Sequence, residues 1–163
     1  MSGQESPDVI FREMRPGEEA FVVALTVAIW ADVSTAKNIT DRFGSLNGHP
    51  WAEHKADQIL AELNKADLVL IADRNGEIIG FATLLYDRKY GVGAVGHLGV
   101  ASGLQNKGLG RRLLRAALDR FRLDGLKYAR IDALVQNERA IHLYESEGFA
   151  EIARSVHLFQ KLA

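Results

Sequence analysis

Apolar positions recur along this chain in two rhythms, and the changes of rhythm mark its elements. Val9 to Arg15 alternates, with Ile10, Arg12 and Met14 on one side, which predicts a short edge-like strand. After Pro16, apolar residues stand at Ala20, Phe21, Ala24, Leu25, Ala28 and Ile29, three and four apart. That spacing predicts a helix over Gly17 to Trp30 with one core-facing stripe, and Glu18 and Glu19 suit its electropositive start. Asp32 to His49 has little periodicity and predicts a short helix and a loop beside a pocket. Pro50 opens a further helix whose buried side is Ile59, Leu60 and Leu63. Leu68–Ala72 and Ile78–Tyr86 read as strands joined by Asp73-Arg74-Asn75-Gly76, in which Asn-Gly supplies the positive-φ pair of a hairpin. Gly80 marks a bulge or a close approach.

The glycine-rich stretch Tyr90 to Gly96 predicts a mobile turn before a strand at His97 to Ala101. Leu113, Leu114, Ala117, Leu118 and Phe121 then predict a helix over Gly110 to Leu123, ended by Gly125. Tyr128 to Val135 reads as a buried strand. Asn137 caps a two-turn helix through Ser146 with Gly148 as its C′ residue. Ile152 to Lys161 alternates and is expected to close the sheet. The order β-α-α-β-β-β-α-β-α-β predicts an α/β protein with a mixed sheet and helices on its faces.

With 163 residues, a single domain over residues 1–163 is expected. Apolar residues make up 47% and charged residues 25%, an ordinary globular balance. Lys and Arg number 20 against 21 Asp and Glu, a net charge of -1, so no nucleic-acid partner is expected. The absence of cysteine excludes disulfides, zinc–thiolate sites and a thiol nucleophile. No apolar run reaches the roughly 20 residues of a membrane helix, and no membrane partner is expected. Met1 to Asp8 is polar and acidic, unlike a leader, so a cytoplasmic location is expected. The histidines lack metal-ligand spacing, and no metal is expected.

The chemistry concentrates at Gln105-Asn106-Lys107-Gly108-Leu109-Gly110, between the His97-Leu98-Gly99-Val100 strand and the arginine-studded helix. Strand, glycine loop and helix N-terminus together form a seat for a phosphate or pyrophosphate. Gly108 and Gly110 leave the N–H groups of residues 106–111 unobstructed, and Lys107, Arg111 and Arg112 supply charge. A glycine-rich turn beside solvated arginines would read the same way. A P-loop would need Lys-Ser/Thr after the glycines, and the dinucleotide fingerprint a third glycine where Leu113 stands.

Two blocks separate these alternatives. Leu98-x-Val100, Gln105-x-x-Gly108-x-Gly110 and Arg111-x-Leu113-Leu114 resemble the pyrophosphate-binding block of the GNAT (GCN5-related) N-acetyltransferase superfamily. Asn137-x-x-Ala140-x-x-Leu143-Tyr144-x-x-x-Gly148-Phe149 resembles its second block. The departure is Ser102-Gly103, where many members carry proline two residues after the valine. The resemblance implies a central mixed six- to seven-stranded sheet flanked by about four helices and splayed between its fourth and fifth strands. It implies transfer of an acetyl group from acetyl-CoA, a cosubstrate, to a primary amine of a small molecule or protein. With no cysteine, attack is direct in a ternary complex. The rival reading is a non-catalytic acyl-CoA-binding sensor or interaction module on the same scaffold. A homodimer would fit the family's habit of pairing through sheet edges or helices.

The resemblance assigns coenzyme A contacts to Leu98, Gly99, Val100, Gln105, Asn106, Lys107, Gly108, Leu109, Gly110, Arg111, Asn137 and Tyr144. Backbone near Leu98 and Val100 would bind the pantetheine arm, and an N–H there would polarise the thioester carbonyl. Tyr144 would donate to the coenzyme A sulfur as the thiolate leaves; a satisfied core tyrosine would look the same in sequence. Asn137 serves as a helix cap, a pantetheine contact, or both. A base for the amine is sought first at His97, which opens the cofactor strand and reads equally as a pocket-lining residue; Glu18, Glu53 and His54 are further candidates. His142 faces outward. Trp30 to His54, with Asp32, Asp41, Phe43, Trp51 and Glu53, would line the acceptor side.

Overall fold

The computed structural model describes residues 8–163; the opening Met1–Asp8, read above as lacking a leader, lies outside it except for Asp8. The elements are β1 (Val9–Glu13), α1 (Glu19–Ile29), α2 (Thr35–Phe43), α3 (Trp51–Lys65), β2 (Leu68–Arg74), β3 (Glu77–Asp87) and β4 (Val92–Val100). A 3-10 turn at Ser102–Leu104 leads to α4 (Leu109–Leu123), β5 (Tyr128–Ile131) and α5 (Glu138–Ser146). One sheet holds the strands in the order β1-β2-β3-β4-β5, antiparallel except for the parallel β4–β5 pair. The expected α/β class stands, with five strands among the described residues where six or seven were expected.

Local chemistry explains the joints. Asn75 and Gly76 take φ of 53° and 88° at the β2–β3 hairpin, as their types favour. Ser34 Oγ caps α2 by accepting from the Lys37 N–H at 3.0 Å, and Asn137 caps α5 by accepting from the Ala140 N–H at 3.4 Å. Both α4 and α5 close with left-handed glycines, Gly125 and Gly148. There the N–H groups of Leu126 and Phe149 reach back to the carbonyls of Phe121 and Tyr144.

The sheet carries a core on each face. On one face α4 packs Leu109, Leu113, Ala117 and Phe121 against Leu70, Ile79, Leu84 and Val95. On the other, α1 and α3 pack Val22, Ile59 and Leu63 against Val69, Ile71 and Phe81.

Several sequence expectations need correction: the stripe expected at Ala20, Phe21, Ala24 and Ala28 is exposed while Val22 and Thr26 form the buried side of α1, and Leu60, expected inside, is exposed. Tyr90 to Gly96 is not a mobile turn: β4 already begins at Val92. Gly91 keeps a left-handed turn (φ 68°), but Gly93 and Gly96 serve close packing, since a Cβ on Gly93 would lie 2.5 Å from the Phe121 ring and one on Gly96 would run into Glu62 Oε1. The strand expected over Tyr128–Val135 ends at Ile131 and is an edge strand, with Tyr128 65% exposed. Residues 152–161 do not close the sheet. With β5 only four residues long there is little ladder to extend, and Ile152, Val156, Leu158 and Leu162 stay exposed while the Phe159 ring packs at a tilt against Phe43, centroids 5.1 Å apart.

Candidate active site

β4 and β5 pair from Val92–Tyr128 to Val95–Ile131, and there the ladder ends. β4 continues to Val100 along β3 alone. The expected parting of the fourth and fifth strands is thus present, and among the described residues no strand pairs with β4 over residues 96–100 on this side. The Ala101 N–H donates to the Ile79 carbonyl on the β3 side. Because backbone groups alternate along an extended strand, Leu98 and Val100 turn theirs toward the open edge. The Gln105 side chain confirms this direction by donating to the Val100 carbonyl at 3.3 Å.

A bulge adjoins this edge. Leu84 pairs with Val95 and Ala82 with Leu98, so Thr83 alone faces both Gly96 and His97. Both residues therefore turn to the α1/α3 face, where the His97 N–H donates to Thr83 Oγ1 at 2.7 Å.

Past Val100 the loop reverses through Asn106 (φ 63°) and Gly108 (φ 78°), and α4 begins at Leu109. Among the described residues no side chain caps that helix start. Its first N–H groups remain available, and the helix dipole adds a favourable field for an anion. Leu109 is buried under the loop and Lys107 is exposed. Arg112 stacks on Phe11 and donates to the Val9 carbonyl.

α5 packs against this start. A Cβ on Gly110 would touch Leu143 at 3.8 Å, and Arg139 donates to Gln105 at 2.7 Å. Arg111 bonds Ser146 and Glu147, and Arg115 bonds Glu147 at 2.8 Å, which ties the two helices together. Arg111 is thus spent on α5. Tyr144 lies half-buried on α5 against Phe149. Burial pushes its phenol up to about 12, so it is protonated at neutral pH. The described residues give its hydroxyl no partner.

His97 stands in a cluster that the sequence did not disclose. Nδ1 meets Glu62 Oε1 at 2.8 Å, Nε2 meets Lys55 Nζ at 2.9 Å, and the Thr83 hydroxyl donates to Glu62. The Trp30 ring packs edge-on to the imidazole at 5.2 Å. Burial penalises the Glu62 carboxylate most strongly. The bond and charge of His97, the Thr83 hydroxyl and the Lys55 charge outweigh it and hold the pKa below the ordinary value. Lys55 and Glu62 lie on the stripe of α3 that includes Ile59. Charges at stripe positions are the signal that could have found them.

Other expected residues are engaged elsewhere. Glu18 binds Arg12, Glu53 pairs with exposed His49, and Asp41 pairs with Lys37. His54 meets Gln58, and His142 is exposed. Among the described residues, no group of three or more acidic or histidine side chains is disposed to hold a metal ion.

Comparison with known proteins matches residues 34–149 to the acetyltransferase (GNAT) family, and the chain belongs to that family. The mycothiol acetyltransferase of Streptomyces avermitilis is 30% identical over 147 residues, 88% of this chain and 44% of that protein. An uncharacterized N-acetyltransferase, YhfO of Bacillus subtilis, is 36% identical over 99 residues, 58% of this chain and 66% of that protein. The chain spans about half the length of the mycothiol acetyltransferases it matches. Among solved structures, the PaiA N-acetyltransferase of Thermoplasma acidophilum in complex with coenzyme A gives a TM-score of 0.68 at 18% identity. That match covers 88% of this chain and 90% of the other. At that identity the likeness is one of fold.

Proposed function

We propose that this protein transfers the acetyl group of acetyl-CoA to a primary amine by direct attack in a ternary complex. One observation carries the reading: the β4–β5 ladder stops at Val95–Ile131 and leaves an open strand edge that runs into a loop of available N–H groups. A linear pantetheine arm suits the edge, and a pyrophosphate suits the helix start. Family membership and the likeness to a coenzyme A complex support the same reading.

In it, the backbone of Leu98 and Val100, with Gly99 between them, holds the arm, and an N–H there polarises the thioester carbonyl. Residues 106–111 receive the pyrophosphate, and exposed Lys107 adds charge. Asn137, which caps α5, contributes a second polar group beside the arm. Tyr144, protonated and without a hydroxyl partner among the described residues, donates its proton to the departing thiolate. His97 lies on the proton-accepting side.

The test is thiol release from acetyl-CoA across a panel of polyamines, aminoglycosides, amino acids and peptide N-termini. Amine-dependent release is expected with at least one class. Coenzyme A binding without release across the whole panel would favour the sensor reading instead.

A further inference from the structure

Both ring nitrogens of His97 are taken, Nδ1 by Glu62 at 2.8 Å and Nε2 by Lys55 at 2.9 Å. A histidine tied at both ends passes a proton along; it does not collect one from a substrate. Because the Glu62 carboxylate can only accept, Nδ1 must donate to it. Nε2 then accepts, either from a Lys55 ammonium or from an N–H of a neutral Lys55 amine, and in the neutral form the Nζ lone pair stays free. The chain Thr83–Glu62–His97–Lys55 therefore ends at Lys55 Nζ.

That end is unusual. Lys55 is 6% exposed and stands one turn before fully buried Ile59, although lysines normally extend their charge to water. Burial drives its pKa below the ordinary lysine value, and the charge of Glu62 only partly restores it. Among the described residues its amine has no hydrogen-bond partner besides His97, and the Trp30 ring lies 5.2 Å away. A lysine kept for structure alone would pair directly with a carboxylate; here an imidazole is interposed. His97 and Glu62 remain 18% and 23% exposed, so the cluster opens to solvent. It also adjoins the first unpaired residues of β4.

Resting on the acetyl-transfer reading, we infer that Lys55 Nζ takes the proton of the acceptor amine, with His97 and Glu62 as the positioning residues behind it. The acceptor nitrogen bonds to the acetyl carbonyl carbon, and the carbon–sulfur bond breaks with its electron pair on sulfur. The proton of the amine passes to the Nζ lone pair, and the thiolate takes a proton from Tyr144. The new ammonium faces His97 from β4 and, through it, Glu62 on its own helix, with Thr83 of β3 behind. α1 presents the uncharged Trp30 ring, and α2 keeps Lys37 and Asp41 paired with each other.

Two measurements on the full chain test this. In an NMR titration with labelled lysine, Lys55 is expected to titrate below the ordinary lysine value, and lower still in Glu62→Gln, which lacks the stabilising anion. In thiol-release assays, Lys55→Met is expected to lose about 10²-fold in turnover near neutral pH. Coenzyme A affinity should stay unchanged, and the residual rate should climb as solution pH deprotonates the acceptor. Lys55→Arg keeps the charge but cannot surrender a proton, and is expected to show the same loss. A Lys55 that titrates at the ordinary value, or a Lys55→Met protein with the wild-type rate and pH profile, overturns the inference alone. Wild-type protein that releases no thiol with any amine overturns the transfer reading itself.

Discussion

The Phe121 ring occupies the space that a side chain on Gly93 would need: a Cβ there would lie 2.5 Å from its carbons. Phe121 is 2% exposed and seats α4 on β4. Gly93→Ala is therefore expected to lower stability by about 1–3 kcal/mol through overpacking. Combining it with Phe121→Leu should cost less than the two changes added separately. Urea unfolding of the three variants checks this, and strict additivity would mean that the two sites do not touch.

Arg12 ties α1 to the sheet by bonding both oxygens of Glu18, at 2.9 and 2.7 Å, and Asp73 at 2.8 Å. The Arg12 bonds, aided by the Arg15 N–H, overcome burial and bring the Glu18 pKa down to about 2. A carboxylate whose pKa is lowered by folding stabilises the native state above its unfolded value. That stability is lost as pH falls from about 4.5 through about 2. Glu18→Gln is expected to cost about 1–3 kcal/mol at neutral pH and to flatten this acid limb. The readout is the urea midpoint as a function of pH; an unaltered acid limb would remove Glu18 from the explanation.

Gly108 and Gly110 have different duties. Gly108 has φ 78° at the start of α4, whereas Gly110 lies inside the helix with ordinary contacts to Leu143 and Val100. Gly108→Val should strain the backbone by about 1–2 kcal/mol and weaken coenzyme A binding roughly tenfold or more. Gly110→Ala should retain most of the affinity. Calorimetry with coenzyme A separates the two; equal affinity in both variants would dissociate the loop from the ligand.

Tyr144→Phe removes a phenol that burial keeps protonated, with a pKa raised to about 12. Turnover is expected to fall about 10²-fold with coenzyme A affinity nearly constant. Unchanged turnover with the best acceptor would leave the thiolate to be protonated by water.

Much of the fold is legible in the chain because its signals are local. Asn75-Gly76, Gly125 and Gly148 each define a turn or helix end through their own backbone preferences, and Asn137 does so through its capping side chain. Gly93 and Gly96 mislead for the same reason, since a glycine that admits a distant side chain is written like a glycine that bends a loop. Only Phe121 and Glu62, brought in by the tertiary fold, distinguish the two cases. The alternation after Ile152 likewise predicts a strand without showing whether an edge exists to receive it.

Most of the proposed cofactor half is contiguous, from Leu98 to Arg111, with Asn137 and Tyr144 added from α5, and its order can be read directly. The proton-accepting half is assembled across the chain. Lys55 and His97 stand 42 positions apart, and they meet because the bulge opposite Thr83 turns His97 toward α3. No periodicity announces that bulge.

The most direct measurement is a titration of the isotopically labelled chain with coenzyme A, following every backbone amide by NMR. Saturable shifts are expected at Leu98 and Val100 and across residues 106–111, with little change on β1 and β2. No saturable change, or shifts confined away from the open β4 edge and the α4 start, would contradict the assignment of this cleft as the cofactor site.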